Sequence, residues 1–271
     1  MSSDRERVTN EITRGLEALS MRQLGTVASV VKSLHVPVQF HSGPGVDIVD
    51  ASFAEEMANL LSLHHSNHEA PLNKKPFEYA MKRCLIAQGH NEADLNPTPG
   101  ESAYDVFGNG ERWSLKTEAA KGLSLTQVKI EKFSEARWVR EATTPDLCAA
   151  EVRERLPRHM SGYDRILVLR AETRPDSFVY TLEEVPKKVL LESFTSASPE
   201  MFTKKDRGGK PGISFGADFL HPANGDKVFR MLLDSSVEKV RLWYQTKYCV
   251  RHGSWVVSRP DTDELTLFTP A

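Results

Sequence analysis

Asp105, Ser114 and Lys116 are the residues whose types and spacing could support chemistry. They lie in Ser102-Ala-Tyr-Asp-Val-Phe-Gly-Asn-Gly-Glu-Arg-Trp-Ser-Leu-Lys-Thr-Glu118, with a carboxylate on one side of a turn and an amine on the other. A carboxylate can hold a divalent cation, and an adjacent amine can handle a proton. Tyr104, Val106 and Phe107 are strand formers, Gly108-Asn109-Gly110 tolerates positive φ, and Trp113 to Thr117 resumes an extended pattern, so the stretch predicts a β-hairpin. By the period of two, Ser114 and Lys116 share one face, and Trp113, Leu115 and Thr117 the other. A lysine on a face bordering the core is costly to desolvate and requires a carboxylate or a ligand; Asp105, across the hairpin, is the candidate. A purely structural hairpin would instead pair Lys116 with Glu118 or Glu111 on a solvated face.

The surrounding pattern predicts the elements that must position these groups. Val8, Ile12, Leu16 and Leu19, then Leu24, Val27, Val30 and Val31, recur at helical spacing before His35-Val-Pro37 interrupts. Such paired amphipathic helices serve as packing or dimer elements more often than as a helix-turn-helix. Gln39 to Val46 reads as a turn-rich loop, and Asp50 as the N-cap of a helix reaching Leu63. The segment from Pro76 to Gln88 is a marked helix, proline in its first turn and Gly89 at its end. Ser124-Leu-Thr-Gln127 has the form of a capping box and predicts a helix running to about Glu141, with another from Pro145 to about Leu156. Strands are expected at Arg165 to Ala171, Phe178 to Leu182, Val228 to Leu233, Val237 to Tyr244 and Ser254 to Val257, and a short helix at Lys187 to Phe194. This order describes an α/β fold with a mixed central sheet flanked by helices. A helical N-terminal region, residues 1–70, suited to dimerisation or DNA contact, is appended to a core of residues 71–271.

The chain has 271 residues, 39% hydrophobic and 27% charged, which is ordinary for a globular protein and argues against disordered or fibrous classes. Its apolar runs are too short to span a bilayer and Met-Ser-Ser-Asp-Arg-Glu-Arg7 lacks the apolar stretch of a signal peptide, so a cytoplasmic protein without membrane contact is expected. Cys84, Cys148 and Cys249 form no paired spacing and read as buried thiols. A net charge of -2 neither advertises nor excludes nucleic acid, because carboxylates gathered around an ion lower the total without repelling phosphate.

Asp105 followed by Ser114-Leu-Lys116 resembles the Asp…(Glu/Asp/Ser)-x-Lys motif of the PD-(D/E)xK nuclease superfamily, which includes most type II restriction endonucleases. The resemblance covers roughly residues 76–140. It departs in two places: Tyr104 stands where a proline usually precedes the aspartate, and Ser114 replaces the middle acid. In a subset of restriction enzymes the missing carboxylate comes from a glutamate beyond the lysine on a following helix, which implies Glu131, with Glu135 as the alternative. Many members also carry an inward-pointing glutamate on the preceding helix, here Glu78. The resemblance therefore implies a restriction-endonuclease-like core and a Mg2+-dependent, sequence-specific double-stranded DNA endonuclease acting as a homodimer beside a cognate DNA methyltransferase. Asp105, Glu131 and the Leu115 carbonyl would hold the metal, Lys116 would position or deprotonate water, and Glu78 would be an accessory acid. A repair or mobile-element nuclease of the same fold is the neighbouring alternative. A non-catalytic DNA-binding regulator is the alternative from another class.

Three other segments bear on function. The basic, glycine-rich loop Thr203 to Gly216 offers Lys204, Lys205, Arg207 and Lys210 to DNA, or is simply a surface loop. His64 and His68 have i,i+4 spacing but no third zinc ligand, and read as a solvated helix end. The basic and aromatic residues from Lys239 to Arg251 suit sheet packing better than base stacking.

Overall fold

The protein is described by a computed structural model covering residues 2–98, 104–206, 208, 212–221 and 223–259. The chain opens with α1 (Ser2–Glu17) and α2 (Met21–His35), the latter started by a Ser20/Gln23 capping box. β1 (Gln39–Ser42) follows, where sequence predicts only loop, and then α3 (Ala51–His65), whose N-cap Asp50 accepts from the Phe53 N–H at 2.8 Å. Next come α4 (Lys74–Ala87), β2 (Asp94–Leu95), β3 (Val106–Gly108), β4 (Glu111–Ala120) and β5 (Gln127–Glu135). The remainder is α5 (Pro145–Met160), β6 (Arg165–Thr173), β7 (Ser177–Glu184), α6 (Lys187–Thr195), β8 (Phe202–Lys204), β9 (Ser214–Leu220), β10 (Lys227–Asp234), β11 (Lys239–Gln245) and β12 (Val250–Ser258).

Seven strands form a mixed sheet in the order β1-β12-β7-β6-β4-β3-β2, in which β4 and β6 run parallel, Lys116 beside Val168. This is the mixed central sheet flanked by helices expected of a restriction-endonuclease-like core. A second, antiparallel sheet, β5-β11-β10-β9-β8, was not foreseen. The alternation of β4 divides the core. Trp113 and Leu115 join Leu167, Leu169, Tyr180 and the inner faces of α3 and α4 in one apolar cluster. On the other face Ile166 and Val168 pack with α5, α6 and the second sheet in another. Each large apolar side chain buried this way contributes roughly 1.5–3 kcal/mol. Ser114 and Lys116 therefore point between the two sheets, as the period of two requires.

β1 pairs with β12, and the Trp255 indole N–H donates to the Ala54 carbonyl at 3.0 Å, so residues 39–65 are attached to the mixed sheet. α1 and α2 bury no residue among those described.

The helix predicted from Ser124 is a strand. Half of the capping box forms, since Ser124 Oγ accepts from the Gln127 N–H at 3.1 Å, but the chain then extends. The reason lies in alternation: Val128 and Ile130 are fully buried, whereas Gln127 and Lys129 face outward, and pairing with β11 rewards that period. A register shift places residues 131–133 opposite Arg241 alone, a bulge that re-aims Glu131 and Lys132.

Candidate active site

The β3–β4 hairpin turns through Asn109 (φ 54°) and Gly110 (φ 72°), the two left-handed residues of a tight type I′ turn. Asp105 extends this hairpin: its N–H donates to the Trp113 carbonyl at 2.8 Å, and its Oδ2 accepts from the Leu115 N–H at 2.6 Å. The carboxylate is thus clamped to the strand bearing Ser114 and Lys116. Lys116 Nζ donates to Ser114 Oγ at 2.9 Å. Glu118 and Glu111, the alternative partners for Lys116, are engaged elsewhere, Glu118 with Arg170 at 2.7 Å and Glu111 with Arg165 at 3.5 Å. No ion pair to Lys116 within 4 Å is found among the described residues. Burial pushes its pKa down to about 8, against the opposing pull of Asp105 and Glu78, while Lys74 and Lys132 push it further down.

Glu78 enters from the first turns of α4. It is nearly buried, its Oε2 accepts from Lys75 Nζ at 2.8 Å, and its Oε1 lies 3.6 Å from Lys74 Nζ. Lys74 also donates to Asp105 Oδ1 at 2.8 Å. One ammonium therefore links the two carboxylates that sequence places 27 positions apart.

Lys74, Asp105, Ser114 and Lys116 open onto a cleft of about 920 Å³, with Glu78 behind Lys74 and off its lining. Asp105, Ser114 and Lys116 line one wall, β5 supplies Glu131 and Lys132, and α5 supplies Arg155, Arg158 and His159. Glu131 reaches the cleft from the strand bulge rather than from a helix, and its carboxylate is paired with Lys129 and with Arg241 at 3.4 Å. Glu135, also on the cleft, is paired with Lys132. The structure thus brings Asp105, Ser114, Lys116 and Glu78 together and leaves Glu131 held by other cations across the opening. Lys74 and His159 were missed in the sequence. His159 sits at 3.2 Å from the Phe133 carbonyl, and burial together with the Lys116 charge lowers its pKa to about 4, so it is neutral.

Lys204 is exposed on β8, the edge strand farthest from β5, and neither it nor Lys205 lines the cleft; the Lys205 side chain lies over Gly216. Arg207 and Lys210 lie outside the described residues. His64 and His68 stack on each other and bond to the carbonyls of Ala70 and His64, an ordinary helix end. Cys84 and Cys148 are buried, and Cys249 partly so. No described helix is long and apolar enough to cross a membrane.

Among the described residues no three His, Cys, Asp or Glu side chains gather around one point. Magnesium does not need three, because it keeps several waters and commonly binds proteins through one or two carboxylates. Asp105 and Glu78 already face a single cationic group, so their charge and spacing suit such an ion.

A mixed-sheet α/β core with an aspartate, a Ser-x-Lys strand and an acid on the preceding helix defines the class: a nuclease of the restriction-endonuclease type. The profile of the SmaI family, type II site-specific deoxyribonuclease, matches residues 12–257, and the chain belongs to that family. The type II restriction enzyme SmaI of Serratia marcescens is 28% identical over 245 residues, covering 88% of this chain and 92% of that enzyme. No solved structure matches the chain. The protein is a restriction endonuclease that hydrolyses DNA at specific sequences.

Proposed function

We propose that this enzyme cuts both strands of a short duplex sequence with Mg2+, as a cytoplasmic homodimer whose host DNA is protected by a cognate methyltransferase acting on the same site. The observation that carries the reading is the convergence of Asp105 and Glu78 on one cation beside Lys116. Asp105, with Glu78, would hold the ion; the Leu115 carbonyl and Glu131 remain further candidate ligands, Glu131 once freed from Lys129 and Arg241. The ion, when bound, polarises the scissile phosphate and lowers the pKa of water. The chain's own groups do the rest. Lys116, steadied by Ser114, holds the attacking water and accepts its proton. Lys132, Arg155 and Arg158 offer charge to the phosphates entering the cleft. Lys204 and Lys205 would reach DNA outside the cleft, and Arg207 and Lys210 are further DNA-contact candidates on the sequence alone.

Helices α1 and α2, at the start of the N-terminal region of residues 1–70, supply the dimer contact. Val8 and Ile12 of α1, and Met21, Val31 and Leu34 of α2, are exposed, and an isolated helix of α1's 16 residues is marginal in water without a partner surface. A second copy fits best, since a two-fold DNA site calls for a two-fold protein.

The test is digestion of a plasmid of known sequence with and without Mg2+. Discrete Mg2+-dependent fragments are expected from the wild type, and a rate loss of about 100-fold or more from Lys116→Ala. Undiminished cutting by Lys116→Ala would overturn the assignment. Glu78→Gln and Glu131→Gln, compared in the same assay, decide which glutamate works with Asp105: a loss confined to Glu131→Gln would replace Glu78 with Glu131.

A further inference from the structure

We infer that Lys74 is a built-in counter-ion of the metal site, one that neutralises Asp105 and Glu78 in the ion-free enzyme and yields its place when a divalent ion binds. This rests on the reading of Asp105 and Glu78 as metal carboxylates. Lys74 Nζ is 2.8 Å from Asp105 Oδ1 and 3.6 Å from Glu78 Oε1. The other oxygen of each carboxylate is taken, Asp105 Oδ2 by the Leu115 N–H and Glu78 Oε2 by Lys75. The two remaining oxygens therefore face the same spot, and Lys74 occupies it. An ammonium and a divalent ion cannot share that spot without strong repulsion.

The exposures indicate which partner moves. The side chains of Asp105 and Glu78 are 19% and 10% exposed, whereas Lys74 is 46% exposed and hinged on four methylenes, so the lysine can swing into solvent while the carboxylates stay. The local sequence points the same way. Lys74 and Lys75 occupy the first turn of α4, a turn without an acidic residue, and the Asn73 cap makes no side-chain bond there. Cations at the positive end of a helix are unfavourable. A helix start that breaks this rule has been shaped by something other than helix stability, here by the two carboxylates beside it.

The experiment is calorimetric titration of the full-length, DNA-free protein with Ca2+, which reads affinity without turnover, alongside thermal melts in chelator. Lys74→Met is expected to bind Ca2+ about ten-fold more tightly than wild type and to melt lower in chelator, with Lys74→Arg close to wild type. Lys74→Gln repeats the measurement in case the apolar side chain disturbs folding. Unchanged or weaker Ca2+ binding by the neutral variants, with the wild type binding through Asp105, overturns the inference alone. If no protein shows binding that Asp105→Asn removes, the metal reading and this inference fall together.

Discussion

His65 shows how one side chain's hydrogen bonds determine its charge. Its Nδ1 lies 3.0 Å from the His68 carbonyl and must carry the proton, so Nε2 accepts from the Tyr180 hydroxyl at 2.7 Å; that oxygen in turn accepts from the Leu72 N–H at 3.0 Å. Every group is satisfied only with the imidazole neutral, and burial lowers its pKa to about 4. In the unfolded chain the ring titrates near 6.5. The folded state therefore binds fewer protons, and stability is intact above pH 6.5 and falls as pH drops from 6.5 towards 4. Urea midpoints measured across this window should fall in the wild type, by an amount on the order of 3 kcal/mol from His65, with buried His159 adding to the slope. Tyr180→Phe leaves Nε2 and the Leu72 N–H unpaired and should cost about 1–3 kcal/mol at pH 8. A midpoint flat between pH 6.5 and 4 would contradict the assignment of neutral buried rings.

Among the elements, β5 matters most because it closes the cleft, and Arg170 governs its entry. From β6, Arg170 donates to Glu118 at 2.7 Å and to the carbonyls of Ser124 and Gln127 at 2.7 and 2.8 Å, tying β4 to the start of β5. Arg170→Met strands Glu118, 11% exposed, without a counter-charge and should destabilise the fold by about 3–5 kcal/mol, with partial recovery on adding Glu118→Gln. Chemical denaturation of the two variants checks this. The same stretch shows why the helix expected from Ser124 does not form. Ser124 and Gln127 carry a genuine capping signal, but caps are local, and the alternation of Val128 and Ile130 against β11 outweighs them once β11, more than a hundred residues away, is in place. α4, α5, the hairpin and the parallel strand β6 were legible because their periodicity and caps lie within the segments themselves.

At the scale of the whole molecule, the exposed apolar residues of α1 and α2 are the feature a single chain does not explain. Val8→Glu with Ile12→Glu should halve the mass seen in sedimentation velocity, from two chains of 30.4 kDa to one. Unchanged mass would place any dimer contact elsewhere. The sequence by itself placed Asp105, Ser114 and Lys116 on one hairpin, because its turn residues and period of two are local. It also carried the nuclease class, which the family match bore out. Only the tertiary structure shows which acid lies beside them. The resemblance implies Glu131 as the metal ligand and Glu78 as an accessory acid, but packing of α4 against the hairpin brings Glu78 and Lys74 onto Asp105, while the β5 bulge leaves Glu131 paired with Lys129 and Arg241. The physical reason is that a strand presents its side chains by a fixed alternation, whereas the meeting of two elements depends on which apolar faces the whole core brings together.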